Sequence, residues 1–198
     1  EFRENLRKEG VIKYNGGKVE FMHRGVMDDC QIAMMVHGGA AGPDEAFDFT
    51  CGHGMNGCMA KTVTYKGKAA HAGGGPHNGI NALYAANLGM QAANALRETF
   101  QEKDTIRFHP IITKGGSVVN AIPSLVSIEN QVRTATMQSL IAENEKVNRA
   151  MAGAAAAMGT GLILTDRTGY APLNTDLRLS DLYCKAAYLL DPENPIET

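Results

Sequence analysis

Apolar and polar residues recur at helix or strand spacing along most of the chain, and this pattern divides it into predicted elements. A charged amphipathic stretch predicts a helix over 1–9, and residues 16–25 predict a second helix ended by Gly25. The run QIAMMVH (31–37) is almost continuously apolar, which is typical of a strand buried on both faces of a parallel sheet. A helix followed by such a strand indicates α/β architecture. Residues 38–57 are rich in glycine and predict a loop, near whose end we place a domain boundary.

The following segment has a different pattern. It predicts, in chain order, a strand over 60–72, a helix over 78–100 capped by Asn78, strands over 105–116 and 124–136, a helix over 137–159 and a strand over 161–173. The first helix has one face of apolar residues, which are Ile80, Leu83, Tyr84, Leu88, Ala92, Ala95, Leu96 and Phe100. The second helix has one too, formed by Leu140, Val147, Met151 and Met158. This order predicts an α+β, ferredoxin-like domain: a four-stranded antiparallel sheet (βαββαβ) with two helices on one face. A further helix begins after residue 174.

Composition and charge narrow the classes of function. Apolar residues make up 44% of the chain and charged residues 20%, which is typical of a folded globular protein. The net charge is −2. The sequence has no basic stripe with interleaved aromatic residues, which is the pattern that would indicate binding to nucleic acid. No apolar run approaches the length of a membrane span, and the charged N-terminal stretch is unlike a signal peptide. We therefore expect a cytoplasmic protein that binds neither nucleic acid nor membranes.

The four cysteines do not form CxxC pairs, so we expect four reduced thiols. The segment CGHGMNGC (51–58) offers Cys51, His53 and Cys58 as three potential zinc ligands. Its spacing matches no common structural zinc pattern, so we interpret the segment as a glycine-rich loop.

His71 is the first candidate for chemistry, because it follows a predicted strand and precedes AGGG. It could be a surface histidine beside a turn. It could also be a hydrogen-bond donor to a substrate oxyanion, since glycines without side chains let a ligand approach the backbone closely. His77, six residues further on, is interpreted as a solvated loop residue.

Two further candidates lie on the later strands. Asn120, in GGSVVNAIPS (115–124), could satisfy backbone groups of its loop or present its amide to a substrate. Arg133 lies on a strand whose faces are not cleanly apolar. An arginine there could form an ion pair within the protein, or hold a substrate carboxylate with a two-pronged contact.

His37 ends the apolar run of the first segment, and ligands of α/β proteins usually lie at the carboxyl ends of buried strands. It could also be an ordinary loop histidine. One imidazole does not make a catalytic metal site, which usually has three or more protein ligands.

The motifs GKAAHAGGGPHNGINAL and GGSVVNAIP, together with the order of elements, resemble the lid (dimerisation) domain of the di-metal aminoacylase/carboxypeptidase G metallopeptidases. Within that family the chain is most similar to the amidohydrolase branch with aminobenzoyl-glutamate and auxin-conjugate hydrolases. The stretch GGKVEFMHRGVMDDCQIAMMVH resembles the one that leads to a metal-binding histidine, which would be His37. The resemblance covers essentially the whole chain but only a central portion of the family's longer sequence.

The resemblance implies three domain segments: 1–57 as part of an α/β catalytic domain, 58–172 as the lid, and 173–198 as the return to the catalytic domain. It also implies amide hydrolysis by water held between two divalent metals, Zn or Mn, in a homodimer acting on an N-acyl amino acid or a small peptide-like substrate. His71 would contact the oxyanion in the partner's active site, and Asn120 and Arg133 would contact the substrate. The family's other metal ligands and its paired glutamates are not found in this sequence, so we expect the chain alone to be inactive.

Two alternatives remain open at this point. One is a non-catalytic ferredoxin-like module for dimerisation or ligand binding. The other is a small metal-binding protein that uses Cys51, His53 and Cys58.

Overall fold

The computed structural model describes residues 2–14, 16–38, 49–52, 54–193 and 196–197. The chain forms two compact units, one of Asn56–Pro172 and one of Glu1–Met55 together with Leu173–Thr198. The helices and strands, in chain order, are α1 (Phe2–Lys8), α2 (Gly17–His23), β1 (Phe49–Thr50), β2 (Gly57–Lys66), α3 (Ala82–Ala95), β3 (Arg107–Phe108), β4 (Ile111–Lys114), β5 (Leu125–Thr134), α4 (Met137–Met158), β6 (Gly161–Tyr170), α5 (Leu177–Leu190) and β7 (Ile196–Glu197). None of the helices in the described ranges is long and apolar enough to cross a membrane.

The unit of Asn56–Pro172 contains an antiparallel sheet with the strand order β3–β5–β2–β6, and β4 also pairs with β5. With α3 and α4 it makes an α+β domain, so the predicted fold class is confirmed. The term ferredoxin-like stays a prediction. The sheet has five strands rather than four, because the predicted strand over 105–116 is divided at His109 and Pro110. Proline has no backbone N–H to donate to a ladder, which explains the interruption at that point.

The core of this unit lies on one face of the sheet. On β5, Val126, Ile128 and Val132 are buried, and the residues next to Ile128 are partly or fully exposed. On β2, Val63 and Tyr65 face the same side, and the Tyr65 hydroxyl donates to the Met151 carbonyl oxygen over 3.0 Å. Since α4 buries Leu140, Val147 and Met151 against this face, its predicted apolar side is confirmed. The opposite face of the sheet carries the alternate residues of the strands.

Helix α3 packs in a way that the sequence did not predict. Its cap is Asn81 rather than Asn78, and the Asn81 side chain accepts from the backbone N–H of Leu83 over 2.9 Å. The buried face consists of small residues, which are Ala82, Ala85, Ala86, Gly89 and Ala93. The predicted apolar face is therefore wrong: Tyr84 is 61% exposed and Leu88 is 38% exposed. Small side chains occupy the core side because the helix backbone lies too close to its neighbours for large ones. A Cβ at Gly89, for example, would collide with the Tyr65 hydroxyl.

The second unit contains α1, α2, α5 and a short parallel sheet of β1 and β7. Glu20 of α2 has a buried carboxylate that connects this helix to the preceding loop. The carboxylate accepts hydrogen bonds from the backbone N–H groups of Lys13 and Tyr14, each over 2.9 Å. It also accepts from the Arg24 guanidinium over 2.6 Å. These bonds, led by the one from Tyr14, lower the pKa of Glu20 to about 2.

Two predictions for this unit are wrong. Residues 31–37 form no strand, and Val36 within them is 83% exposed. A continuous apolar run becomes a strand only where other strands share its backbone hydrogen bonds, and no residue in the described ranges does so here. The four cysteines are not all reduced either, since Cys51 and Cys184 form a disulfide with Cα atoms 6.7 Å apart.

Candidate functional site

The candidate site is built on two strand ends that continue beyond the sheet as a pair. Strand β2 ends at Lys66, five residues before His71, so His71 does not lie on the strand itself. The Ala72 N–H donates to the Asn120 carbonyl oxygen over 2.9 Å, and the Ile122 N–H donates to the Ala70 carbonyl oxygen over 2.9 Å. Between these bonds, His71 pairs with Ala121 as an isolated bridge. The structure thus brings His71 and Asn120 together on neighbouring segments.

The imidazole of His71 is oriented by the glycine turn that follows it. Its Nδ1 accepts from the backbone N–H of Gly74 over 2.8 Å and from that of Gly73 over 3.2 Å. A ring nitrogen that accepts carries no proton, so in the neutral ring the proton lies on Nε2. The ring is exposed, and its Nε2–H is a donor available to a ligand. Gly73 and Gly74 act through their backbone N–H groups, since a Cβ at either position would lie only at ordinary contact distance from the ring, 3.5 and 3.4 Å.

Asn120 lies at the other side of this pair. Its backbone carbonyl holds Ala72, while its exposed side-chain amide bonds to none of the described residues. Of the neighbouring residues, Val119 is fully exposed, and Gly116 has a φ of 136°, a conformation that favours glycine. The loop therefore presents an exposed amide, and its backbone pairs with the segment that carries His71. His77, in a short 3₁₀ turn over Pro76–Asn78, is exposed as predicted.

Arg133 lies at the other end of the sheet. It pairs with Cys58, and Cys58 is separated from Lys66 by eight residues of β2, which is about 26 Å at 3.3 Å per residue. His71 lies beyond Lys66, so the structure does not bring Arg133 together with His71 and Asn120 within one chain. The Arg133 guanidinium donates from Nη2 and Nε to the Gln131 side-chain oxygen, over 2.7 and 3.1 Å.

On β3 the direct neighbour of Arg133 is Arg107, which sequence reasoning missed. The alternation of Arg107 with the apolar Phe108 was the signal that could have found it.

His37 is exposed, and its Nδ1 lies 2.7 Å from the Gly38 carbonyl oxygen. That contact leaves Nε2 free to act as a ligand atom. Within the described ranges, however, no three histidine, cysteine or acidic side chains form a group that could hold a metal ion. The residues in the described ranges therefore do not fit a di-metal site by themselves.

The alternative site of Cys51, His53 and Cys58 has lost support. Cys51 is bonded to Cys184, so it offers no thiolate, and His53 lies outside the described residues. Cys58 is 3% exposed. Burial raises the pKa of Cys58, although the neighbouring Arg133 opposes this, so the group remains a thiol at neutral pH.

A surface of exposed apolar residues lies on α3, on β4 and on the loop after β4. It consists of Tyr84, Leu88, Ile111, Ile112, Val118 and Val119, and we call it the apolar surface. At Gly115 the loop after β4 comes close to α3, because a Cβ there would lie 3.3 Å from Ile112 and 4.0 Å from Leu83. Exposed apolar side chains that occur in a group mark an interaction site more often than scattered ones do.

Comparison with known proteins identifies the family to which this domain is similar. The sequence model of the peptidase dimerisation domain (M20_dimer) matches residues 53–158, more than half of the chain. An Xaa-Arg dipeptidase from Mus musculus is 34% identical over 148 residues, which cover 73% of this chain and 31% of that protein. A p-aminobenzoyl-glutamate hydrolase from Escherichia coli is 28% identical over 160 residues, covering 77% of this chain and 32% of that protein. The chain thus spans about a third of the length of these curated relatives.

The solved structures agree at the level of the fold. An aminobenzoyl-glutamate utilization protein from Klebsiella pneumoniae superposes with a TM-score of 0.62 and 24% identity, over 85% of this chain and 42% of that one. The resemblance drawn from the glycine–histidine motif is confirmed. The enzymes of this family are metal-dependent peptidases and amidohydrolases. The chain therefore belongs to the M20 peptidase family and carries its dimerisation domain.

Proposed function

We propose that this chain is part of a metal-dependent amidohydrolase that cleaves the amide bond of an N-acyl amino acid or a small peptide-like substrate. In this proposal the unit of Asn56–Pro172 forms a homodimer with a second copy and supplies His71 and Asn120 to the partner's active site. Zn or Mn as the metal, His37 as one of its ligands, and the assignment of 1–57 and 173–198 to the catalytic domain remain predictions, as does a cytoplasmic location.

One observation carries the proposal: the candidate residues lie at opposite ends of one sheet. Arg133 is at least about 26 Å along the strands from the end that carries His71 and Asn120. A small substrate cannot touch both ends of one chain. If all three residues act on one substrate, His71 and Asn120 come from one chain and Arg133 from the other.

The chemistry of His71 fits this role. Its Nε2–H is fixed as a donor by the two backbone N–H groups on Nδ1, so it can bond the oxyanion that develops as the amide carbonyl is attacked. The donor is already oriented before the reaction begins. The Asn120 amide, on the segment paired with that of His71, offers a second donor, and the Arg133 guanidinium matches the shape of a substrate carboxylate. The bound metals of the family would activate the attacking water, which these three residues do not contact in this proposal.

The apolar surface supports pairing with a second copy. A dimerisation domain needs a face that is apolar and self-complementary about a two-fold axis. Among the described strands β4 pairs with β5 alone, so its outer edge, which lies within this surface, is suited to pair with an identical strand. We expect the 198-residue chain to dimerise in sedimentation experiments, and Leu88→Asp to produce monomers, whereas Glu145→Lys on the exposed side of α4 leaves the dimer intact.

The experiment that tests the in-trans site uses two impaired variants of the full-length protein that carries this chain, assayed at a substrate concentration well below KM. His71→Ala should lower kcat about a hundred- to a thousandfold, with a smaller change in KM and unchanged metal content. Arg133→Met should mainly raise KM, because it removes a substrate contact. Each variant alone retains two defective sites per dimer.

Mixing the two variants separates action in trans from action in cis. A mixed dimer has one site with both an intact His71 and an intact Arg133. Random exchange of equal amounts should therefore restore about a quarter of wild-type activity, since half of the dimers are mixed and each has one repaired site. No recovery, although mixed dimers form, would show that the two residues do not serve one site from different chains. Loss of metal from His71→Ala would show that its role is different.

A further inference from the structure

The disulfide between Cys51 and Cys184 joins the two connections that flank the unit of Asn56–Pro172. Cys51 lies five residues before that unit and Cys184 lies twelve residues after it, so the bond closes a loop that contains the whole unit. The two connections also run side by side, since the Leu173 N–H donates to the Met55 carbonyl oxygen over 2.9 Å. Making or breaking the covalent bond therefore changes how firmly these two segments are held together.

The Cys51 sulfur contacts one turn of α5. Ser180 and Cys184 are four residues apart on this helix, so they lie on the same face. Besides its bond to Cys184, the Cys51 Sγ lies 3.2 Å from the Ser180 carbonyl oxygen. Gly52, which has a φ of 79°, lies against the same turn, because a Cβ there would be 4.0 Å from the Ser180 Oγ. This turn thus offers the reduced Cys51 thiol a hydrogen-bond acceptor, which keeps the thiol near Cys184 so that the bond can form again.

Packing holds α5 weakly within this chain. Ala187 is the one residue of the helix that is buried within the described ranges. Leu177, Leu189 and Leu190 are each more than three quarters exposed. A helix of 14 residues is marginal by itself in water, so its order depends on ties to the rest of the chain. The disulfide is a covalent tie of this kind.

The two sulfur atoms of the bond differ in how easily a reductant reaches them. Cys51 is 9% exposed, whereas Cys184 is only half-buried. A small thiol therefore attacks the Cys184 sulfur, and Cys51 is the leaving group. The cytoplasmic location predicted above would expose the bond to such thiols, and disulfides in that compartment are usually transient or redox-sensing.

We propose that the Cys51–Cys184 bond is a reversible redox lock on α5, opened by a dithiol reductant. A thiolate of the dithiol attacks the Cys184 Sγ, and the electron pair of the S–S bond goes to the Cys51 Sγ, which takes up a proton. The second thiol of the reductant then attacks its own sulfur in the mixed disulfide, so Cys184 leaves as a thiolate and is protonated. The reductant becomes a cyclic disulfide, and two electrons have passed to the protein.

A small disulfide such as glutathione disulfide reverses the reaction. It accepts the two electrons, is reduced to two thiols, and leaves Cys51 and Cys184 joined again. The lock depends on this bond and on the weak packing of α5. It is independent of the proposed amide hydrolysis.

The first test measures the chemistry of the bond in the folded 198-residue chain. After treatment with glutathione disulfide and alkylation of free thiols, mass spectrometry should recover the peptides of Cys51 and Cys184 joined together. After treatment with dithiothreitol, both cysteines should be alkylated instead. The rate of this opening should rise in proportion to the dithiothreitol concentration, because the Cys184 sulfur is accessible in the native state.

The second test measures the effect on α5 by hydrogen exchange. Reduction should make the α5 amides exchange about tenfold faster or more, should leave the β2 amides unchanged, and should be reversed by glutathione disulfide. Cys184→Ser should show the fast exchange without any reductant. Cys30→Ser, which removes an exposed cysteine outside the bond, is the matched control and should behave like the wild type. Should Cys184→Ser not fold, reduction of the wild-type chain still gives the answer.

Three results would overturn the lock. If glutathione disulfide leaves Cys51 and Cys184 unjoined, the bond does not form. If the opening rate reaches a plateau at the rate of unfolding, the bond is a permanent cross-link that reductants reach only in the unfolded chain. If reduction leaves the exchange of the α5 amides unchanged, other contacts hold the helix and the bond controls nothing there.

Discussion

Asp166→Ala should strongly destabilise the unit of Asn56–Pro172, because Asp166 compensates a charge in its core. The Lys61 side chain is completely buried, and its ammonium donates to the Asp166 carboxylate and to the Asn148 side-chain oxygen. The other carboxylate oxygen of Asp166 accepts from Asn144 over 2.7 Å and from Asn148 over 2.9 Å. Removing the carboxylate leaves the ammonium with one neutral partner.

The magnitude follows from the burial of the two partners. Breaking a buried ion pair on one side typically costs about 3 to 5 kcal/mol. The Lys61 side chain is 0% exposed and that of Asp166 is 26% exposed, so water can replace part of what the carboxylate supplies. We therefore expect Asp166→Ala to lower the free energy of unfolding by about 2 to 3 kcal/mol.

Urea unfolding followed by circular dichroism measures this loss, and hydrogen exchange of the β2 amides assigns it to this unit. Lys61→Met in the Asp166→Ala background should restore most of the stability, since it removes the uncompensated charge. Glu145→Ala, which removes a carboxylate from the exposed side of α4, should change the free energy of unfolding by less than about 0.5 kcal/mol. A loss below about 1 kcal/mol in Asp166→Ala, or additive effects of the two substitutions, would refute the reasoning.

The pH dependence gives this prediction a second check. Burial lowers the pKa of Lys61, and Asp166 opposes that shift. In Asp166→Ala the pKa of Lys61 should fall further below its unfolded value. The folded state then binds fewer protons than the unfolded state at alkaline pH, so stability rises with pH in that range. The deficit of Asp166→Ala should accordingly shrink as the pH approaches 10.5, the ordinary value for lysine.

Three other predictions follow from buried groups. Gly89→Ala should lower the free energy of unfolding by about 1 to 3 kcal/mol, because its Cβ collides with the Tyr65 hydroxyl, while Gly153→Ala, with open space around it, should raise it by about 0.5 to 1 kcal/mol in the same urea assay. Burial raises the pKa of Tyr65 to about 12, so its absorbance should titrate there, and its contribution to stability should be complete below about pH 10 and lost as the pH rises through 12. The pKa of Glu20 is lowered from 4.5 to about 2, so its contribution to the stability of the fold is present above pH 4.5 and lost as the pH falls toward 2. Glu20→Gln should remove this pH dependence, which thermal unfolding between pH 4.5 and 2 measures.

The local pattern of the sequence was sufficient for the elements whose packing it also sets. Helix α4 has a long apolar stripe with 3.6-residue spacing, and it buries that stripe on the sheet. The strand-rich segments and the two helices between them indicated the α+β class, and the glycine–histidine motif indicated the family. These features depend on residues close together in the chain, so no tertiary information was needed.

The faces of α3 could not be read in the same way. Its larger apolar residues, Tyr84 and Leu88, are exposed, and Ala85, Ala86 and Gly89 form the core side. Hydrophobicity alone favours the larger side chains for burial. The distance between α3, α4 and the sheet decides otherwise, because the close approach leaves room only for small residues.

For the candidate site, too, the sequence predicted one part and the tertiary structure decided the other. The sequence alone singled out His71, Asn120, Arg133 and His37 by residue type and by their place beside glycines or strand ends. Only strand pairing decided that His71 and Asn120 are neighbours, and that Arg133 stands beside Arg107 at the far end of the sheet. The register of a sheet joins residues that are far apart in the chain, and it is fixed by the burial of the whole face rather than by any local motif. That is why residue types were predictable here, whereas their placement at two opposite ends of one sheet required the tertiary structure.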